Sequence, residues 1–500
     1  MRLTRLAAAL TAAVLGLSGC VGGDTAATGE ATLRWAVTLP AHWDPVVSGS
    51  GAQFRILSLA YASLTEIDEQ GKAAPGLAES WDYNGTGDKV TFHLRPGLTF
   101  SDGTPLDAAA VKAYLERAKT QQNSALFGDL TSIKSVTAQG DRDVVIALTQ
   151  VDYQIPLLLG QRVAQITSPT AARDPAALDK SPVGAGPFVV SELVPGSHVY
   201  LKKNPKYWDA ANIHLDRVEL LPAPEAATIV SGLKTGVYDF ANINANQVKE
   251  AEGAGLDVVF QPGFNASNIS INVNKAPFTN PLVVDAVRYA VNRQEFVDKL
   301  TFGYGEPTDQ PFPTKYLAYD KESAQRYPYD PARAKQLLAE AGYPPGQIKL
   351  DLVIAQTFAT AAEVVQSQLA AVGITVTIRS DPNWEKPFFA KELTLSLYGT
   401  TGRESPVQTL TAHFGPNGPL NLSSPYQPEG FEEAISLARR TPLDSPDYEK
   451  NLQAATRAGL HSRALVFTYS QPNIFVKSPK LSDLLPIPGQ IHWTGLRVSP

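Results

Sequence analysis

Apolar side chains recur at every second position in some stretches and at every third or fourth in others, so the chain predicts strands alternating with helices. Leu33, Trp35 and Val37 alternate with Arg34 and Ala36 and predict a first strand. Val90, Phe92 and Leu94 share one face of another, with Thr91, His93 and Arg95 opposite. Pro96-Gly97 fits the centre of a type II turn, and Ser101-Asp102-Gly103 makes a second turn. Asp107 stands where it caps a helix from Ala108 to about Lys119, and Val144, Ile146 and Leu148 predict a further strand. Ile269, Ile271 and Val273 alternate with Asn and Ser. Asn280-Pro281 then opens one helix reaching Leu300, carried by Val283, Val287, Val291 and Val297. Asp330-Pro331 opens a helix that Gly342 closes. Another spans about 361–372, ends at Gly373 and passes into the alternating Ile374, Val376 and Ile378. That order of helix, glycine and strand is α/β winding.

Arg2 and Arg5 precede an apolar stretch, Leu6 to Leu17, too short to span a bilayer and patterned like a secretory signal. It ends Leu17-Ser18-Gly19-Cys20, which resembles a bacterial lipobox. The resemblance implies removal of residues 1–19 and lipidation of Cys20, whose thiol is the nucleophile such chemistry needs. Each buried lipid CH₂ contributes about 0.8 kcal/mol, so several acyl chains would anchor the protein stably outside the cytoplasmic membrane. Residues 20–30 are small and polar and read as a tether.

At 500 residues the chain exceeds one ordinary core, so two or three domains are expected. Apolar residues at 43% and charged residues at 18% fit a packed protein. A net charge of −6 without a basic run argues against nucleic acid as a partner. Cys20 is the single cysteine, which excludes a disulfide framework and a cysteine zinc site. No two of His42, His93, His198, His214, His413, His461 and His492 are three or four apart, so neither a preformed metal site nor a cofactor is expected. The chain lacks H-E-x-x-H, G-x-S-x-G and the phosphate-loop motif, and it reads as a non-enzyme. A hydrolase working with two carboxylates leaves no such motif and stays open.

Longer motifs follow in order: Pro75-Gly76-Leu77-Ala78-Glu79-Ser80-Trp81, Thr91 through Gly103, Gly184-Ala185-Gly186-Pro187-Phe188 and Asn204-Pro205-Lys206-Tyr207-Trp208. Pro277-Phe278, Val287 through Arg293, Tyr329-Asp330-Pro331, Glu340-Ala341-Gly342 and Leu369 through Ile374 complete the series. Together they resemble family 5 of the bacterial extracellular solute-binding proteins, the peptide/nickel type of ABC importers. The resemblance implies an α/β, two-lobed, periplasmic-binding-protein-like clamp of type II with an extra N-terminal domain. Lobe I would comprise 31–55, 184–268 and 478–500, the extra domain 56–183 and lobe II 269–477. The chain would cross between lobes near Phe264–Ile269 and near Val476–Ser478. The implied function is a monomeric lipoprotein that captures a small solute, first a peptide or peptide-like one, and passes it to ABC permease and ATPase subunits. A metal chelate or other solute, or a ligand sensor, is the alternative.

The motif residues themselves, such as Trp81, Tyr207 and Trp208, read as packing and turn residues. The resemblance points instead to Ser48, Gly49 and Ser50 in lobe I and to Gln356, Phe358, Trp384 and the segment from Tyr398 to Ser405 in lobe II. Two departures stand out. Gly402 occupies the position near which peptide binders carry an Asp for the ligand ammonium, and Gln356-Thr357 stands where dipeptide binders carry an Arg. Glu404 replaces the carboxylate only if the loop is re-registered, and Arg403 is a candidate for a ligand carboxylate or phosphate. His413 is the remaining candidate contact.

Overall fold

Two strands carry the fold. In the computed structural model, which describes residues 30–48, 51–223, 226–324, 326–400, 405–485, 487 and 489–499, Asp257–Ile271 and Leu465–Lys477 run antiparallel along most of their lengths. Their register runs from Asp257 opposite Lys477 to Ser270 opposite Leu465, with a break between Gln261 and Asn265. Below the break the sheet continues through Phe240–Asn242, Thr32–Val37, Arg217–Pro222, His198–Lys203 and Phe188–Val194. Above it the sheet continues through Leu395–Thr400, Lys349–Ile354 and Thr375–Ser380, the last two parallel. With the short strand Glu306–Pro307 paired to Leu465–Lys477 off this path, one 11-stranded sheet crosses the molecule.

Along the two central strands each half is buried on both faces. Phe475 packs with Trp35, Leu201, Phe240 and Trp493, while its neighbours Ile474 and Val476 enter the opposite core with Ala36, Val230 and Val248. In the upper half, Ile269, Ile271 and Val466 pack against helices Pro281–Ala290 and Ala359–Ala371. Leu465 and Phe467 face Pro406–Phe414, Phe431–Arg440 and Tyr448–Gly459. Burial on both faces explains the near-continuous apolar ends of Leu465–Lys477. Between them Gln471 is exposed and Asn473 half-buried. The polar positions Asn268, Ser270 and Asn272 are buried rather than solvent-facing. They satisfy one another and the backbone: Ser270 Oγ donates to Asn268 Oδ1 at 2.7 Å, and Asn272 Nδ2 donates to the Leu393 carbonyl at 3.1 Å.

A second, four-stranded antiparallel sheet of Ala78–Tyr83, Lys89–Leu94, Asp143–Leu148 and Ile133–Gln139 packs against helix Ala108–Thr120. Its core gathers residues from Ala62 to Ile166, joined by Val46 and Ala185. Ile56, Leu57, Leu59, Ala60 and Tyr61 pack instead with Trp35 and Phe188. Asp107 caps its helix as expected, accepting from the Ala110 N–H at 2.8 Å, and Gly97 adopts φ +72° in its turn.

The helix expected from 281 to 300 is two helices, Pro281–Ala290 and Arg293–Leu300. Asn292 caps the second by accepting from the Glu295 N–H. The Gln368 side chain accepts from the Asn292 N–H and donates to its carbonyl, both at 3.1 Å, so an amide from a distant helix replaces the lost helical bonds.

The Gly184-Ala185-Gly186 motif has a steric origin. A Cβ on Gly186 would lie 2.4 Å from the Ala60 carbonyl carbon, where the Gly186 N–H donates to Ala60 O at 2.9 Å. Gly186→Ala is expected to cost about 3 kcal/mol. Gly97→Ala, with a positive φ but open space, is expected to cost about 1 kcal/mol. Thermal and denaturant unfolding of the two variants checks the order.

Candidate ligand-binding cleft

A cavity of about 560 Å³ lies at the strand break, within the usual range for small-molecule sites. Phe54, Arg55, Ser58 and Tyr61 form one wall from the lower half, with Gln490 to Thr494 of the C-terminal segment. Ser63, Glu66, Gly160, Gln161, Arg162 and Gln165 come from the second-sheet part. Phe264, Asn265 and Asn473 come from the break, and Tyr398, Gly399, Thr409 and His413 from the upper half. At the break, Asn265 Nδ2 donates to Asn473 Oδ1 at 3.2 Å, and Phe264 meets Tyr316 edge-on at 4.8 Å.

The second-sheet part also touches the upper half directly. Gln154 Oε1, buried, accepts from Ser405 Oγ at 3.1 Å and from Tyr448 Oη at 2.8 Å. The Tyr153 N–H donates to the Arg439 carbonyl at 3.0 Å, and Gln408 Nε2 donates to the Asp129 carbonyl. Asp152 beside this contact is pushed up to about 6 by burial, against the pull of the Gln154 backbone N–H and Arg439.

The charged groups of the cleft divide by partner. Arg162 is paired with Asp129, and its guanidinium lies 5.3 Å over Phe54. Arg55 lies 5.7 Å over the Phe475 ring, has no carboxylate within ion-pair distance among the described residues, and is lowered by burial from the usual arginine value. Glu66 is the only acid lining the cavity among the described residues. Burial, then Asp209, push it up to about 7, while Arg95 and a hydrogen bond from Tyr207 pull the other way. His492 Nε2 lies 4.0 Å from Glu66 Oε2, and burial lowers its pKa. Gln165 Nε2 donates to the Phe54 carbonyl at 3.0 Å, and its buried Oε1 has no partner among the described residues. Among the described residues no cluster of three His, Cys, Asp or Glu stands ready to hold a metal, and no helix is long and apolar enough to cross a membrane.

The residues singled out from sequence scatter around this cavity. Tyr398 and His413 line it, and His413 Nδ1 contacts the Thr409 carbonyl at 2.7 Å. Trp384 is 7% exposed and stands behind Tyr398, at 5.7 Å between rings, with Phe388 and Leu422. Phe358 meets Trp384 edge-on at 6.5 Å, so Phe358, Trp384 and Tyr398 form one aromatic group beside the cleft. Gln356 is exposed and accepts from Ser380 Oγ, and buried Ser48 donates to Gln53 Oε1 at 2.7 Å; neither lines the cavity. Gly49, Ser50, Arg403, Glu404 and Cys20 lie outside the described residues. Sequence reasoning missed Arg55, Glu66, Gln165 and His492. It assigned Tyr207 to packing alone, although Tyr207 lines the cavity and bonds Glu66.

Residues 72–420 match the family described as bacterial extracellular solute-binding proteins, family 5 Middle. The glutathione-binding protein GsiB of Salmonella paratyphi A (strain ATCC 9150 / SARB42) is 34% identical over 325 residues, 64% of this chain and 63% of GsiB. GsiB of Escherichia coli O157:H7 is 34% identical over 331 residues with the same coverage. The match thus spans about 63% of the length of these curated relatives. Among solved structures, HbpA2 from Haemophilus parasuis superposes with a TM-score of 0.81 at 24% identity, covering 94% of this chain and 100% of that one. DppA from Helicobacter pylori in complex with peptide STSA also gives 0.81 at 24% identity, covering 94% of this chain and 98% of that one. This chain thus shares the fold of both along nearly its whole length, in keeping with the α/β, periplasmic-binding-protein-like clamp expected above.

Two outcomes follow from the cleft's packing. Trp384→Ala is expected to cost about 3–4 kcal/mol in denaturant unfolding, with solute affinity changing only through Tyr398. Glu66 binds its proton more tightly folded than unfolded, so its stabilisation is complete below about pH 4.5 and is lost as pH rises through about 7. Glu66→Gln should therefore match the wild type at pH 5 and exceed it at pH 8 by on the order of 2 kcal/mol in thermal unfolding. A flat difference between the two pH values would contradict the assignment.

Proposed function

The chain belongs to the bacterial extracellular solute-binding proteins, family 5, and on that footing we propose that it captures a small peptide or peptide-like solute between two lobes and delivers it to an ABC permease. The observation that carries this reading is the cavity at the strand break, walled by the lower half, the second-sheet part and the upper half together. We take the lobes to divide between Gln261 and Asn265 on one strand and between Gln471 and Asn473 on the other, earlier than the crossings near Phe264–Ile269 and Val476–Ser478 that the resemblance implied, because Phe475 to Lys477 pair with the lower half; the part around 62–166 is then the extra domain.

A clamp joined by two strands opens and closes by changing a few backbone dihedrals at the crossing. Closure brings Tyr398 and His413 toward Arg55 and Tyr61, expels water and strengthens every polar contact inside. The solute leaves unaltered, because the work of transport falls to ATP-hydrolysing partners and no step here breaks a bond. A peptide is favoured because relatives are named for binding glutathione and a structural neighbour holds a peptide. We further infer that Cys20, outside the described residues, carries the lipid that holds the protein at the membrane.

Native mass spectrometry of protein from its source host is expected to show a co-purified solute of small-peptide mass and an added diacylglycerol mass on the chain beginning at Cys20. Adding that solute at a hundredfold excess over Kd should stabilise the protein by about 2.7 kcal/mol. Chemical turnover of the solute at about 1 per second or faster would refute a pure receptor.

A further inference from the structure

We propose that the cleft selects a dipolar solute through counter-charges on its lower wall and extra domain, Arg55 taking an anionic group, Glu66 a cationic one, and Gln165 Oε1 an N–H. This rests on the receptor reading above and names the termini of a free peptide as what the site recognises.

Three observations on separate elements support it. Arg55 is half-buried beside Phe475 with no carboxylate partner among the described residues, whereas Arg162 nearby is already neutralised by Asp129. A desolvated, uncompensated cation is costly, and a ligand carboxylate offering two oxygens to the guanidinium removes that cost. Glu66 is the one acid facing the cavity among the described residues, and its neighbours are Tyr207, Asp209, Arg95 and His492. Burial lowers His492, so it stays neutral near pH 7 and leaves Glu66 without a full positive charge within ion-pair distance among the described residues. An ammonium arriving with the solute supplies that charge and favours the ionised carboxylate. Gln165 is 2% exposed, and its amide orientation is fixed because Nε2 donates to the Phe54 carbonyl. Gln165 lines the cavity, its Oε1 is buried without a donor among the described residues, and a buried acceptor left unmade costs about 1–3 kcal/mol, which a solute N–H reaching it on closure removes. A carboxylate, an ammonium and an amide N–H occur together in a free peptide.

The test offers ligand-free full-length protein a pool of di- to pentapeptides with free termini, beside the same pool N-acetylated and the same pool C-amidated, and reads occupancy by native mass spectrometry. The wild type is expected to retain free peptides at least tenfold over either blocked pool. Arg55→Met should lose the preference for free over amidated peptides only, and Glu66→Gln the preference for free over acetylated peptides only. Arg55→Lys, which keeps the charge, should restore part of the first preference, and circular dichroism confirms that each variant is folded. Peptides held without regard to their termini, or preferences that survive Arg55→Met and Glu66→Gln, would overturn the counter-charge assignment and leave the receptor reading standing. A wild type that retains no peptide while a different solute co-purifies would overturn the peptide reading together with this one.

Discussion

A single pair of strands joins the halves of the sheet, and the wider of the two register shifts in its ladder falls between Gln261 and Asn265. At each end Asp257–Ile271 and Leu465–Lys477 are clamped between apolar cores, so their ends cannot move independently of the halves they belong to. At the interruption neither core reaches them, and the polar side chains of Asn265 and Asn473 take over from backbone pairing. The cavity and the proposed place of bending are therefore two consequences of one gap in the ladder. Burial of the strands on both faces ends there, leaving room for a solute, and the backbone constraint ends at the same residues.

The same gap sets the electrostatics. Desolvation around the cavity acts on acids and bases in opposite directions: it raises Glu66 and lowers Arg55 and His492. Where the fold supplies an internal partner, as Asp129 does for Arg162, the charge is a structural fixture. Where it supplies none, the free protein carries an unfavourable solvation term that a complementary solute relieves. Under the counter-charge proposal, affinity for a charged solute and modest stability of the empty cleft thus have a common origin.

Much of the fold was legible in the sequence because alternating or helical spacing reports burial locally. Leu33/Trp35, Val90/Phe92/Leu94 and Ile269/Ile271 all face cores, and Asp107, Gly97 and Gly342 mark the ends expected of them. The break at Asn292 was not legible, since apolar spacing continues through Val291 and Val297 and Gln368 stabilises the break from 76 positions away. The cleft was read only in part for the same reason. Tyr398 followed from family resemblance and His413 from its place shortly after that segment, but Arg55, Glu66 and Gln165 stand on separate elements, and only the tertiary fold brings them to one cavity. Nothing in the local pattern separates Arg55 from an ordinary solvated arginine near the end of a helix.

The contact made by the extra domain bears on how such a clamp reopens. Its centre is a glutamine oxygen shared by two hydroxyls, with the Gln154 Nε2 buried and without a partner among the described residues. Forming it exchanges water contacts of Ser405 and Tyr448 for one shared acceptor, so its net contribution is of the order of 1 kcal/mol rather than the several that an apolar seal would give. Asp152 beside it is desolvated, which subtracts further when the carboxyl is ionised. A clasp of this kind holds the halves in register without holding them shut. In the proposed clamp, the difference between open and closed states is then left to the groups that only a solute completes, so occupancy of the cleft, not the strength of the clasp, would decide which state prevails.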